Sequence, residues 1–222
     1  MTLPAELAKI LAPETAWAWE QIAPILPDSC RLAGGTALAV HLYHRQSRDL
    51  DFFYSDPGLD LAALERRLSQ LGSFAVSSRA PGTLNGLLQS AKIQFLDAHD
   101  QIDLAEPERH AGIPVSSLAD VFAMKVKVIG DRGELRDYFD LERIEQITGR
   151  SFEEGIGLYM TRYRIAPEHP SIGHIIEALG YLDDVDEDDM LPEDHATIAA
   201  YWRRRQPEIS RNLARFPNSP SY

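Results

Sequence analysis

Asp49-Leu50-Asp51, followed by Phe52-Phe53, sets two carboxylates on either side of one apolar residue. In an extended strand the side chains at i and i+2 share a face, so both acids project together with their Cα atoms roughly 6–7 Å apart. Carboxylates that close repel unless a cation lies between them. A hard divalent ion such as Mg²⁺, which takes oxygen ligands and keeps positions for water and phosphate, meets that need. Leu50 and Phe52 then face the core. Upstream, Gly34-Gly35 closes a short apolar run and opens the helix-like stretch 36–43. Glycine lets a phosphate approach the backbone, and the N–H groups and dipole of a helix start favour its charge. Gly34 and Gly35 thus suit triphosphate oxygens, and Asp49 and Asp51 suit the metal that bridges them. Each half has a plain structural alternative, since Gly-Gly pairs recur by chance and acid-hydrophobe-acid is an ordinary exposed strand pattern. The joint arrangement of strand, glycines, helix and acid pair favours the site.

A second signal lies in "SLADVFAMKVKVIGDRGELRDYFDLERI". At helical spacing Lys125 falls in the middle of the apolar stripe formed by Val121, Phe122 and Ile129, while Lys127 falls on the opposite side. A lysine there either snorkels past the core edge or meets a buried anion. The next helix offers Asp137, on a stripe with Leu141 and Ile144, and Asp140, which Arg136 can also reach at i+4. A structural Lys-Asp tie between two helices and a phosphate contact are equally compatible with this periodicity.

The elements that must position these groups follow from periodicity and breakers. A helix over 5–23, interrupted near Pro13, precedes an alternation: strand "CRLAGG", helix "TALAVHLY", strand "RDLDFFYS", helix "DLAALERRLSQLG" and strand "SFAVSSR". Two more strands are expected at 83–89 and 91–96, although Asn85-Gly86 could be a hairpin turn inside the first. From Ser117 helices dominate, at 117–129, 134–148, 151–164, 171–179 and about 193–214. The expected division is an α/β domain with its N-terminal helix over 1–113 and a helical region over 114–222 that completes the site.

The formal charge of −12 argues against a polyanionic partner only at first sight, because the segment 183–194 holds eight acids and no base. The rest of the surface can carry basic patches such as His44-Arg45-x-x-Arg48 and Arg203-Arg204-Arg205. The acidic run reads as a solvated loop or as a docking surface for a basic partner. The single cysteine, Cys30, makes no internal disulfide and reads as a small buried hydrophobe. The seven histidines show no zinc-ligand spacing. With no signal-peptide pattern and no long apolar span, a soluble, cytoplasmic protein without membrane partners is expected.

Four stretches now add up to a family resemblance: "LAGGTALAVHLYHRQSRDLDFF", "GTLNGLLQSAKIQFL", "SLADVFAMKVKVIGDRGELRDYFDL" and "ALGYLDDVDEDDMLP". Together they resemble the AbiEii/AbiGii toxin family of nucleotidyltransferases, within the DNA-polymerase-β-like superfamily. The resemblance implies an α+β fold, a mixed nucleotidyltransferase sheet flanked by helices and followed by a mainly helical C-terminal half. It implies that Gly34, Gly35 and Thr36 bind nucleotide phosphate, with Arg132 counted among the nucleotide contacts, and that Asp49 and Asp51 bind Mg²⁺. Lys125 would reach the triphosphate, with Asp137 and Asp140 completing the catalytic set. The implied reaction moves an NMP from an NTP to an acceptor hydroxyl, the tRNA 3′ end, with an antitoxin encoded beside the toxin. Rival readings are the same chemistry on a protein or small-molecule acceptor, and a catalytically silent nucleotide-binding module. Where superfamily members place a third carboxylate this chain has Gln94, with Asp97 three residues on. A glutamine is a poor Mg²⁺ ligand and no general base, so the family branch tolerates a neutral residue, or Asp97 substitutes, or activity is reduced.

Overall fold

A computed structural model describes residues 3–215, without the side chains of Arg132 and Arg215. The chain divides into two compact units, Met1–Val121 and Phe122–Tyr222. In order the elements are α1 (Ala5–Lys9), α2 (Pro13–Ile22), β1 (Cys30–Ala33), α3 (Gly34–Leu42), β2 (Asp49–Tyr54), α4 (Leu61–Leu71), β3 (Phe74–Ala80), β4 (Thr83–Leu88), β5 (Ala91–Asp97), β6 (Glu108–His110) and β7 (Ile113–Val115), then α5 (Leu118–Arg132), α6 (Leu135–Thr148), α7 (Phe152–Tyr163), α8 (Pro170–Gly180) and α9 (His195–Arg215).

The first unit is built on one mixed seven-stranded sheet in the order β3-β4-β5-β2-β1-β7-β6. β2 is antiparallel to β1 and parallel to β5, and β4 joins β5 and β3 antiparallel. Alternation decides which way each central strand faces. Leu50, Phe52 and Tyr54 of β2, Ile93 and Phe95 of β5, and Leu84 and Leu88 of β4 are buried together, and Phe52 stacks on Phe95 with ring centroids 5.1 Å apart. A slip of one residue would turn this whole set to the other face, so the register is strongly specified. α2 starts on Pro13, whose fixed φ suits the first helical position, and α4 is capped by the Asp60 side chain accepting from Ala63 N–H at 2.9 Å.

One sequence expectation changes here. The glycines do not end β1. That strand stops at Ala33, and Gly34-Gly35 forms the first turn of α3, because Gly34 adopts φ +64° and turns the chain at once. The strand expected at 83–89 is β4, with Asn85-Gly86 inside it and the turns on either side at Pro81-Gly82, where Gly82 has φ +70°, and Gln89-Ser90. The short strands β6 and β7 were not anticipated. β7 pairs parallel with β1 at Leu32 and Val115, but three residues containing a proline give no readable alternation.

β3 is an edge strand, with a register irregularity between Val76 and Ser78 and Arg79 paired to Glu65 of α4 at 2.5 Å. Cys30 is buried, and burial pushes its thiol up to about 12, so it is an inert core residue.

The second unit is helical. α6 and α7 both start on reciprocal capping boxes, Glu134 with Asp137 and Ser151 with Glu154, and α6 stops at Gly149 with φ +72°. Trp202 of α9 is fully buried, packs edge-on against Phe152 and donates its indole N–H to Tyr138 O at 3.1 Å. Arg205 pairs with Glu145 at 2.9 Å and Glu153 at 2.6 Å, tying α9 to α6 and α7. No helix among the described residues is long and apolar enough to cross a membrane.

Glu142 of α6 is 3% exposed, accepts from Gln146 Nε2 at 2.7 Å, and keeps its Oε2 buried with no partner among the described residues. Burial, and then the charge of Glu193, pushes its carboxyl up to about 7 from the usual 4.5, against the pull of Arg143 and Arg204. The folded chain therefore binds this proton more tightly than the unfolded chain. The associated stability is full below about pH 4.5 and is lost as pH rises through about 7. Glu142→Gln is expected to remove this loss, raising the denaturant midpoint at pH 8 by the equivalent of on the order of 2 kcal/mol while changing little at pH 5. Guanidinium unfolding of both proteins across pH 5–8 checks it.

Candidate active site

The acid pair lies where alternation put it. Asp49 and Asp51 are half-buried on the face of β2 opposite to Leu50 and Phe52. Register places Ala33 beside Asp51 on one side and Gln94 on the other, while Lys92 stands beside Asp49 with its Nζ 4.0 Å from Oδ2.

Gly34 continues from Ala33 directly onto Asp51. A Cβ on Gly34 would lie 2.5 Å from Asp51 Oδ2, so a side chain there would be strained by its left-handed φ and would displace the Asp51 carboxylate. A Cβ on Gly35 would lie 2.6 Å from Nη2 of Arg45. Each glycine thus has a charge resting on it, a carboxylate on the first and a guanidinium on the second. The cap of α3, Ala33, is extended and supplies no side-chain hydrogen bond, and the first-turn N–H groups have no acceptor within the helix. That is the arrangement an anion seat requires.

Thr36 is 1% exposed, and its hydroxyl bonds Ser47 Oγ at 2.7 Å and donates to the carbonyl of Asp49. It fastens α3 to the start of β2, and its hydroxyl is engaged within the chain. Ser47 is pinned in turn to the link between α1 and α2, through Ser47 N–H to Ile10 O at 2.8 Å and Ala12 N–H to Ser47 O at 3.1 Å. Arg45 joined the candidates only with the structure. In the sequence it was one member of a basic patch, and the signal that could have singled it out is its place in the loop returning from a Gly-Gly turn to an acid pair.

Asp97 does not replace a carboxylate at position 94. It pairs in register with Tyr54, on the face opposite to Asp51. Burial works against its charge, yet the His99 N–H at 3.0 Å and ring at 2.8 Å hold it below the usual carboxylate range. The β5 residue level with Asp51, on its face, is Gln94.

The remaining candidates belong to the second unit. Lys125 is 5% exposed, and its ammonium pairs with Asp137 Oδ1 at 2.7 Å and Asp140 Oδ2 at 2.6 Å. Asp137 does double duty, because its Oδ2 accepts the Glu134 N–H at 3.0 Å to close the capping box. Lys127, expected on the outer side, pairs with Asp131 and lies 5.9 Å over the Tyr163 ring. The Arg132 side chain lies outside the described residues.

The arginine run is engaged within its own unit. Arg203 pairs with Asp183 at 2.6 Å, Arg204 covers the Tyr201 ring at 5.6 Å, and Arg205 is the brace to Glu145 and Glu153. The acidic run forms one wall of a cleft of about 460 Å³, with residues 133–136 as the other.

Two carboxylates on one face, a glycine that admits close approach and a neutral neighbour at Gln94 fit a divalent cation that takes its other ligands from phosphate and water. Among the described residues no three His, Cys, Asp or Glu side chains gather in a way that could enclose a metal by themselves.

Comparison with known proteins agrees with this architecture. A protein of Aquifex aeolicus is 28% identical over 188 residues, 83% of this chain and 86% of its own. A candidate nucleotidyltransferase from Helicobacter pylori matches in structure with a TM-score of 0.58 and 16% identity, over 98% of this chain and 100% of that one. The nucleotidyltransferase toxin MenT4 of Mycobacterium tuberculosis matches with a TM-score of 0.54 and 15% identity, over 96% and 87%. The nucleotidyl transferase AbiEii toxin family, from type IV toxin-antitoxin systems, matches residues 17–99 and 89–216, nearly the whole chain. With its mixed sheet, its glycine turn against an acid pair and this match, the chain belongs to the AbiEii family of nucleotidyltransferase toxins.

Proposed function

We propose that the chain transfers a nucleoside monophosphate from an NTP to the 3′ end of tRNA and releases pyrophosphate, in the cytoplasm and under the control of a cognate antitoxin. The observation that carries this reading is the contact of Gly34 with Asp51. It sets the backbone of an anion-favouring helix start against a carboxylate that shares its face with a second one.

Asp49 and Asp51 hold Mg²⁺, which when bound neutralises phosphate charge and polarises the phosphorus. The chain's own groups do the rest by positioning and charge. First-turn N–H groups of α3 hold phosphate oxygens, and the Arg45 guanidinium, lying over Gly35, offsets the charge that builds on the leaving pyrophosphate. Thr36 keeps that turn in register with β2 through the Asp49 carbonyl. The family resemblance gives Lys125 to the triphosphate, with Asp137 and Asp140 fixing the direction of its ammonium and Arg132 as a further nucleotide contact.

Asp49→Asn and Asp51→Asn keep size and remove charge. Each is expected to lower labelling of tRNA by an α-labelled NTP at least a hundredfold with little change in melting temperature. Labelling at wild-type level in the double variant overturns the assignment.

Lys125→Ala strands two buried carboxylates and is expected to cost about 3–5 kcal/mol of stability. If Lys125 also meets the triphosphate, Mg-NTP affinity measured where the variant stays folded falls at least tenfold; unchanged affinity with lost stability identifies the lysine as a structural tie alone.

A further inference from the structure

Level with Asp51, a row of uncharged polar side chains crosses the sheet. Asp51 stands beside Gln94, Gln94 beside Asn85, and Asn85 beside Ser78, and residues paired in register project from the same face. Asn85 Nδ2 donates to Ser78 Oγ at 2.9 Å, which leaves Asn85 Oδ1 buried with no partner among the described residues. The Gln94 amide is half-buried and makes no side-chain hydrogen bond to any described residue. The Gln94 amide, held beside a functional carboxylate and not spent on its own protein, is a group available to a ligand, whereas Asn85, its NH₂ bonded to Ser78 and its oxygen buried, is its neutral neighbour.

Topology says which ligand. Transfer of a phosphoryl group places the attacking and leaving oxygens roughly in line, on opposite sides of the phosphorus. The α3 turn meets Asp51 from the β1 side, since it continues from Ala33. Gln94 and Asn85 lie on the β5 side. If the leaving pyrophosphate rests on the first side, the second side is where an acceptor must enter.

Resting on the transfer reaction proposed above, we propose that Gln94, with Asn85 beside it, forms the acceptor subsite, a neutral seat that holds the terminal ribonucleoside of the acceptor by hydrogen bonds to the Gln94 amide. A planar amide offers one donor and one acceptor edge, which suits ribose hydroxyls and base edges. It adds no third negative charge beside Asp49 and Asp51. On this account Gln94 is a substrate contact in its own right, and its neutrality is what an uncharged ligand group asks for.

The experiment uses the full-length ¹⁵N-labelled chain, saturated with Mg²⁺ and a non-hydrolysable NTP analogue and then titrated with adenosine, with side-chain amide signals followed by NMR. The two Gln94 NH₂ proton signals are expected to shift with adenosine. Gln94→Ala is expected to weaken adenosine binding about tenfold and to leave the affinity for the analogue within about twofold. Adenosine that moves neither signal overturns the proposal. So does a shift of both signals that is complete with the analogue alone, because the amide then serves the NTP. The backbone amides of Gly34 and Gly35 report separately on the phosphate seat. If the analogue leaves them unmoved, the proposed NTP site falls, and the adenosine shift still decides the subsite.

Discussion

Strand β2 can face only one way. Leu50, Phe52 and Tyr54 are buried between neighbours that alternate in the same rhythm, and the Phe52–Phe95 stack locks β2 to β5. Burying side chains of this size contributes about 1.5–3 kcal/mol each, far more than a slipped register could recover from polar contacts. The direction of Asp49 and Asp51 is therefore set by the apolar residues between them. Everything else in the first site follows from that: Gly34 is bare where a side chain would displace Asp51, and Arg45 can settle over Gly35 because the next position is bare too.

A different economy governs the second unit. Lys125 sits on an apolar stripe and is kept charged by two carboxylates, one of which also caps α6. Start of helix, ion pair and helix-helix tie are one construction, so no member can change alone. Arg205 repeats the pattern with Glu145 and Glu153, while its neighbours Arg203 and Arg204 lie against Asp183 and the Tyr201 ring.

The two acids and their shared face were readable from Leu50 and Phe52, and the apolar setting of Lys125 from Val121, Phe122 and Ile129, because both rest on periodicities of several residues. Asp137 and Asp140 were readable as candidate partners on the next helix, and the structure shows the lysine paired with both, while periodicity alone left a Lys-Asp tie and a phosphate contact equally open. Arg45 escaped because its position over Gly35 depends on how a loop folds back, and loops have no period. Asp97 looked interchangeable with a residue three positions away, but three is odd in a strand and puts it on the other face. β6 and β7 were too short to show a pattern, and the glycine pair read as the end of a strand because the two elements meet with no loop between them.

The outer strand β3 has a consequence for the life of the molecule in a crowded solution. An unpaired strand edge is a template on which a second chain can add its own strand. β3 interrupts that template with an irregularity between Val76 and Ser78, two serines, and an arginine held against α4 by Glu65. A newcomer would have to follow a kinked line, lose the ion pair and bury polar side chains. The edge is in this way made a poor seed for aggregation.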